Sequence, residues 1–235
     1  MRAGFEITNE MGSVQIDERF KNFCLLQKFN GNTNTAMDTF GGLIGSSISY
    51  SHSKRGSISP IFCAYSSQYV VTATNVNQDS NYWYFTVYSS GPVGTGFTIH
   101  IYDGHTPTPS NAGLQLLNGS GEITFDAARK YLRIEQLVNA SPGMGFNTYD
   151  RVSGRAYAGI ATRPIWSYAL DQTTIGTTNY HRIRYQIVGV RGHDDLGGYV
   201  MGAFTVSVAY STIPISPSLP PYKAGPVLIA DVTHY

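Results

Sequence analysis

GFEITNEMGSVQIDERFKNFCL, residues 4–25, is matched without a gap by GLQLLNGSGEITFDAARKYLRI, residues 113–134, every partner standing 113 − 4 = 109 positions later. Gly4, Asn9, Gly12, Asp17 and Lys21 meet the identical residue types Gly113, Asn118, Gly121, Asp126 and Lys130. Phe5, Ile7, Val14, Ile16, Phe23 and Leu25 meet apolar Leu114, Leu116, Ile123, Phe125, Leu132 and Ile134. Three further echoes follow in the same order. Pro60-Ile61-Phe62 with Gln68 resembles Pro164-Ile165-Trp166 with Gln172, Asn81-Tyr82 resembles Asn179-Tyr180, and FTIHIY (97–102) resembles FTVSVA (204–209). Loop insertions and deletions between equivalent strands produce such drifting offsets, so the chain reads as two copies of one unit. A duplicated binding or building module is a more natural reading than a duplicated active site.

Outward from that stretch, each copy opens on a hairpin. Phe5 and Ile7 alternate before a polar turn at Asn9–Gly12, and Val14 and Ile16 alternate after it; two short apolar-alternating runs around such a turn are a hairpin signal. Further short strands are expected at Pro60–Tyr65, Tyr69–Thr74, Tyr82–Tyr88 and Phe97–Tyr102, and in the second copy at Tyr131–Val138, Arg155–Ile160, Ile165–Leu170, His181–Val190 and Tyr199–Tyr210. Asp126–Lys130 is the one plausible helical turn. The expected architecture is all-β: two tandem, homologous antiparallel β-sandwich domains, jelly-roll-like, each of about seven or eight short strands. The boundaries are residues 1–106 for the first domain, 107–112 for a linker, 113–211 for the second domain and 212–235 for a Pro-rich C-terminal arm. Pro214, Pro217, Pro220, Pro221 and Pro226 favour an extended course for that arm. Its apolar end, carrying Val227, Leu228, Ile229 and Val232, must pair with a sheet edge in its own chain or in a neighbour. We expect it to exchange contacts between subunits, so that truncation after Ser211 leaves both domains folded.

Composition agrees. Charged residues make up 13% of the chain, against roughly 25% in an average soluble protein, and 17 tyrosines and 25 glycines help fill the gap. Tyrosine and β-branched residues suit pleated surfaces, and glycine, asparagine and proline supply turns. A net charge of +1 with scattered lysines and arginines gives no field for nucleic acid. Met1 is followed by RAGFEITNEMG, which has no apolar core of a secretion signal, and no stretch has the length of a membrane span. The expectation is a chain folded in a cytosol, with Cys24 and Cys63 as two separate reduced thiols.

Chemistry is sparse. His193-Asp194-Asp195, in a loop peculiar to the second copy, joins an imidazole and two carboxylates that suit a divalent cation, but no third spaced ligand accompanies them, so no metal and no other cofactor is assigned. His100, Asp103 and His105 carry the same weak signal. Asp17 and Asp126, present in both copies, suit turn closure onto backbone N–H groups. No nucleophile elbow, phosphate loop or His-Glu-x-x-His motif is present, and no nucleophile–base pair arises by spacing, which points away from an enzyme.

Aromatic surface chemistry remains. In Tyr82-Trp83-Tyr84-Phe85 the tyrosines share one sheet face and Trp83 and Phe85 the other. With Trp83 and Phe85 inward, Tyr82 and Tyr84 sit half-buried with wet hydroxyls and, with Tyr88 and the His193–Asp195 loop, form the candidate contact surface. Tyrosines among Asn and Ser stack on sugar rings or anchor protein partners. The 30–58 and 89–96 loops are the other candidate contact surfaces.

The opening GFEITNEMGSVQID, echoed by Gly121-Glu-Ile-Thr-Phe-Asp126 and Lys130-Tyr131-Leu132-Arg133-Ile134, resembles the start of small tailed-bacteriophage tail-fibre and tail-tip virion proteins. That resemblance implies a structural role in the virion (tail tip, baseplate or fibre) and supplies no catalytic residues. It implies a symmetric oligomer, trimer or hexamer, that contacts other tail proteins and, on the host side, a surface glycan or protein. The alternatives from the residues alone are a carbohydrate-binding module or lectin and a capsid decoration protein.

Overall fold

The computed structural model describes residues 6–8, 14–17, 22–37, 45–104, 109–111, 113–140, 144–161, 166–192, 198–213 and 225–233. Every regular element among them is a strand. The first nine are β1 (Glu6–Thr8), β2 (Val14–Asp17), β3 (Cys24–Asn32), β4 (Thr35–Ala36), β5 (Ser46–Ser53), β6 (Ile61–Tyr65), β7 (Val71–Gln78), β8 (Tyr82–Ser89) and β9 (Gly96–Asp103). The second nine are β10 (Gln115–Leu117), β11 (Ile123–Asp126), β12 (Ile134–Ala140), β13 (Asn147–Asp150), β14 (Tyr157–Ala161), β15 (Trp166–Ile175), β16 (Thr178–Gly192), β17 (Gly198–Ser211) and β18 (Gly225–Asp231). The all-β expectation holds, and every strand pairing is antiparallel. At Asp126–Lys130 there is a turn rather than a helix, closed by the Arg129 N–H donating to the Asp126 carbonyl at 2.9 Å.

Two large sheets carry the fold. The six-stranded sheet has the order β12-β18-β14-β6-β9-β3, and the eight-stranded sheet has the order β13-β17-β16-β7-β8-β5-β4, with β15 also paired to β16. Each sheet therefore contains strands from both halves of the sequence. In the six-stranded sheet the halves meet at one residue pair, Gly159 with Ala64; in the eight-stranded sheet they meet at Val190 with Val71. The seam is tight because glycine stands on it. A Cβ on Gly189 would fall 2.6 Å from the Val71 carbonyl oxygen, and one on Gly159 would fall 2.5 Å from Val190 Cγ2.

Alternation along β8 shows why the sheets stack. Trp83, Phe85 and Val87 are buried between the sheets, while Tyr82 and Tyr84 stay outside. Phe62 of β6 stacks on Phe85 with ring centroids 4.1 Å apart, and Tyr50 of β5 stacks on Phe85 at 5.6 Å. Ile99 and Ile101 of β9 complete this core. A second core gathers Tyr157, Val188, Val190, Tyr199, Met201, Val227 and Ile229. Burying each such side chain contributes about 1.5–3 kcal/mol, which favours strand pairing wherever a period-2 pattern offers an apolar face.

The two small hairpins have one register. In the first, Glu6, Ile7 and Thr8 pair with Asp17, Ile16 and Val14, with an irregularity between Ile7 and Thr8. In the second, Gln115, Leu116 and Leu117 pair with Asp126, Phe125 and Ile123, with the irregularity between Leu116 and Leu117. The following strands also shift register at matching points, Leu25/Gln27 in β3 and Ile134/Gln136 in β12.

The later echo resolves differently. FTIHIY lies in β9 of the six-stranded sheet, whereas FTVSVA lies in β17 of the eight-stranded one. Alternation alone does not say which of two stacked sheets a strand joins. The strand placed like β9 is β18: β9 lies between β3 and β6, and β18 lies between β12 and β14. Both end on a buried aspartate, Asp103 and Asp231. The strand carrying Val227, Leu228 and Ile229 therefore has both edges hydrogen-bonded within its own chain. Val227, Ile229 and Val232 are buried. Pro214, Pro217, Pro220 and Pro221 lie outside the described residues.

Candidate functional site

Tyr82 and Tyr84 stand where alternation puts them, on the outer face of the eight-stranded sheet, 40% and 36% exposed. Their rings are 6.3 Å apart, tilted by 46°. The Tyr84 hydroxyl donates to Asp79 Oδ2 at 2.6 Å, and Asp79 Oδ1 accepts the N–H groups of Asn81 and Tyr82 at 2.7 Å each. The Tyr84 hydroxyl and those two N–H groups hold the Asp79 carboxyl below the usual carboxylate range, and the carboxylate in turn raises the Tyr84 hydroxyl. Across the ladder Tyr84 pairs with Ser51 and Asn77, and Tyr82 with Ser53. Behind them the Lys54 ammonium sits 4.6 Å from the centroid of buried Trp83. Tyr88 does not join this pair; it packs against a buried cluster of Met37, Val70, Ile187, Phe204 and Val206.

His193, Asp194, Asp195 and His105 lie outside the described residues. His100 and Asp103 are buried in β9. Burial, with Lys28 and Lys130 nearby, pushes the His100 imidazole down to about 4. Among the described residues, no group of three or more His, Cys, Asp or Glu side chains is placed to hold a metal ion. Cys24 and Cys63 are free, buried thiols, and burial raises both, Cys24 to about 11.

Asp126 closes its turn as its position suggests. It accepts the Ser110 N–H at 2.8 Å and hydroxyl at 2.7 Å, and the Ala128 N–H and Gln115 amide at 3.0 Å each. Burial alone would raise this carboxyl; the donors outweigh it and bring it down to about 2. At the end of β18, Asp231 meets Arg155 Nη1 at 3.2 Å, Arg133 Nη1 at 3.6 Å and the Thr233 hydroxyl at 2.5 Å. Burial opposes its charge, but Thr233 and the two guanidiniums hold it below the carboxylate range. These contacts pin backbone segments together.

A concave site lies elsewhere, at the end of the six-stranded sheet where β3, β9 and the segment after β6 converge. It is a groove of about 400 Å³. Asn30, Thr98 and Tyr65 stand side by side across three strands, Asn30 opposite Thr98 and Thr98 opposite Tyr65. Asn32, Ser67 and Gln68 complete its polar rim, and Phe97 lines it from the core side. Its described lining contains no Asp, Glu, Lys, Arg or His. The Thr98 hydroxyl donates to Asn30 Oδ1 at 2.8 Å, which leaves the Asn30 amide hydrogens for a ligand. The loop is tied down from the second half of the chain: the Gly192 N–H donates to the Ser66 carbonyl at 2.9 Å, and Arg191 Nη1 donates to the Gln68 carbonyl at 3.2 Å. Gly192 is a glycine because a Cβ there would fall 2.4 Å from the Tyr65 ring.

Sequence reasoning reached one wall of this groove, since Asn30–Asn32 begin the 30–58 loop, and missed Tyr65 and Gln68. The polar run Ser66-Ser67-Gln68 directly after a buried strand was the available signal. No protein-family model, curated protein or solved structure matches the chain.

Proposed function

We propose that this chain is a non-enzymatic structural component of a tailed-phage virion, in the tail tip, baseplate or fibre, and that it works as a symmetric oligomer in contact with a host surface. The observation that carries the assembly part is the end of the six-stranded sheet. β12 pairs only with β18 among the described strands, and it presents Leu137, 56% exposed, and Ile134 along that edge. An edge strand with unpaired backbone and exposed apolar side chains is a template for another chain. Two stacked sheets running through both halves suit a rigid building block. The phage part rests on the resemblance of the opening hairpin sequence.

The finer architecture belongs to the same reading. The matched registers of the two hairpins, and the order β3-β9-β6 followed by β14-β18-β12, support duplication of one unit whose copies share both sheets. β18 then serves the second copy as β9 serves the first. In an oligomer the strand could be supplied by a neighbour with the same pairing partners, so its place between β12 and β14 suits either arrangement.

Light scattering on the purified full chain tests the assembly. A trimer or hexamer is expected, and a monomer across about micromolar to 100-micromolar protein would overturn it. A second reading, a carbohydrate-binding module, is favoured by the exposed Tyr82–Tyr84 pair held rigid through Asp79. It requires glycan binding that Tyr84→Ala abolishes.

A further inference from the structure

We propose that the groove between Asn30, Asn32, Tyr65, Ser67, Gln68 and Thr98 binds a neutral saccharide; this deepens the host-contact part of the proposed function and rests on it. A sugar hydroxyl both donates and accepts, so it needs partners that do both, and carboxamides and hydroxyls supply this without a charge to desolvate. The groove offers three carboxamides, from Asn30, Asn32 and Gln68, with the Ser67 hydroxyl and, as an acceptor, the Thr98 oxygen. An anionic ligand would look for a cation, and the described lining has none. Tyr65 adds an aromatic surface at the rim for the C–H face of a pyranose, and a cleft of about 400 Å³ is of small-ligand size.

The geometry is set before any ligand arrives. Ser66 Oγ accepts the N–H groups of Gln68 and Tyr69 at 3.4 and 3.5 Å, and the loop's carbonyls are held by Gly192 and Arg191. A loop anchored in this way loses little freedom on binding. This groove belongs to the six-stranded sheet and the Tyr82–Tyr84 pair to the eight-stranded one, so the two are separable by mutation.

Saturation-transfer NMR on the full chain, which reads weak binding whatever the oligomer size, tests the proposal. The probes are maltohexaose, N-acetylchitohexaose and mannohexaose, each raised to about 10 mM, ten times a millimolar Kd. At least one should give saturable transfer. Asn30→Ala and Gln68→Ala, both at exposed positions, should weaken it about tenfold, and Tyr84→Ala should leave it unchanged. Flat responses to all three sugars overturn the groove. So does binding that survives Asn30→Ala and Gln68→Ala but disappears in Tyr84→Ala, which would place the sugar on the tyrosine pair. Light scattering on the same samples keeps the two proposals apart: an oligomer without sugar transfer removes the groove alone, and a monomer that binds sugar removes only assembly.

Discussion

Gly159 of β14 pairs with Ala64 of β6, and a Cβ on Gly159 would lie 2.5 Å from Cγ2 of Val190 in the opposite sheet. One glycine thus serves both the lateral join between the halves and the approach of the two sheets. Valine is short and branched, so it cannot swing clear. Gly159→Ala should therefore destabilise the protein by about 1–3 kcal/mol through overpacking. Urea unfolding monitored by tyrosine fluorescence checks this. The wild type should melt in one transition because both sheets cross the seam, and an unchanged midpoint in Gly159→Ala would mean that the seam is loose.

His100 should make the protein acid-sensitive well above the carboxylate range. Its imidazole sits at about 4 in the folded state, mainly through burial, against 6.5 ordinarily. A depressed histidine binds its proton more readily in the unfolded chain. Stability is therefore full above about pH 6.5 and falls as the pH drops towards 4, by about 3 kcal/mol at 1.36 kcal/mol per unit. Denaturant midpoints between pH 7 and pH 4 measure the slope. His100→Gln should flatten it, and an equal slope in that variant would assign the acid sensitivity to other groups.

Asp231 acts in a lower window. Its carboxyl is held below the ordinary value against the opposing effect of burial, so its contribution is present above about pH 4 and is lost as the pH falls through the folded-state value. Asp126, at about 2, adds to the same loss. Asp231→Asn should cost about 1–3 kcal/mol at neutral pH, because Arg133 and Arg155 lose their shared acceptor at the end of β18. The difference between wild type and variant should shrink below pH 3, and a constant difference down to pH 2 would show that charge is not what holds this corner.

Particular residues show what was legible. The match between residues 4–25 and 113–134 was readable because a hairpin is a local object: turn residues and alternation fix its register, and the two registers coincide pair for pair. The inward Trp83 and Phe85 and outward Tyr82 and Tyr84 were readable for the same reason. Sheet membership was not. FTIHIY and FTVSVA look alike because both satisfy period 2, yet they belong to different sheets, and the strand placed between its neighbours as β9 is between its own is the differently composed GPVLIAD. The groove was hidden because Asn30, Tyr65 and Thr98 become neighbours only when three strands from separate parts of the chain align. Tyr88 looked like its neighbours in β8 and is instead packed by Val70, Ile187 and Phe204, which arrive from elsewhere.

Truncation after Ser211 separates an appended arm from an integral strand. If the last residues only dock, the rest of the molecule folds without them. The structure leads to the opposite expectation. β18 supplies Val227 and Ile229 to the core beside Tyr157, Val188 and Met201, and it bridges β12 to β14. Without it, β12 loses its only partner among the described strands and β14 retains a single paired residue, Gly159, on its other edge. Three buried aliphatic side chains, Val227, Ile229 and Val232, are also lost, at about 1.5–3 kcal/mol each. A chain ending at Ser211 should lose the protease resistance of residues 134–161 and aggregate through the exposed core. Adding the peptide Gly225–Tyr235 in trans should restore solubility if strand pairing is the cause. Limited proteolysis followed by mass mapping reads both outcomes, and a truncated chain that stays soluble with 134–161 protected would show that the sheet closes without β18.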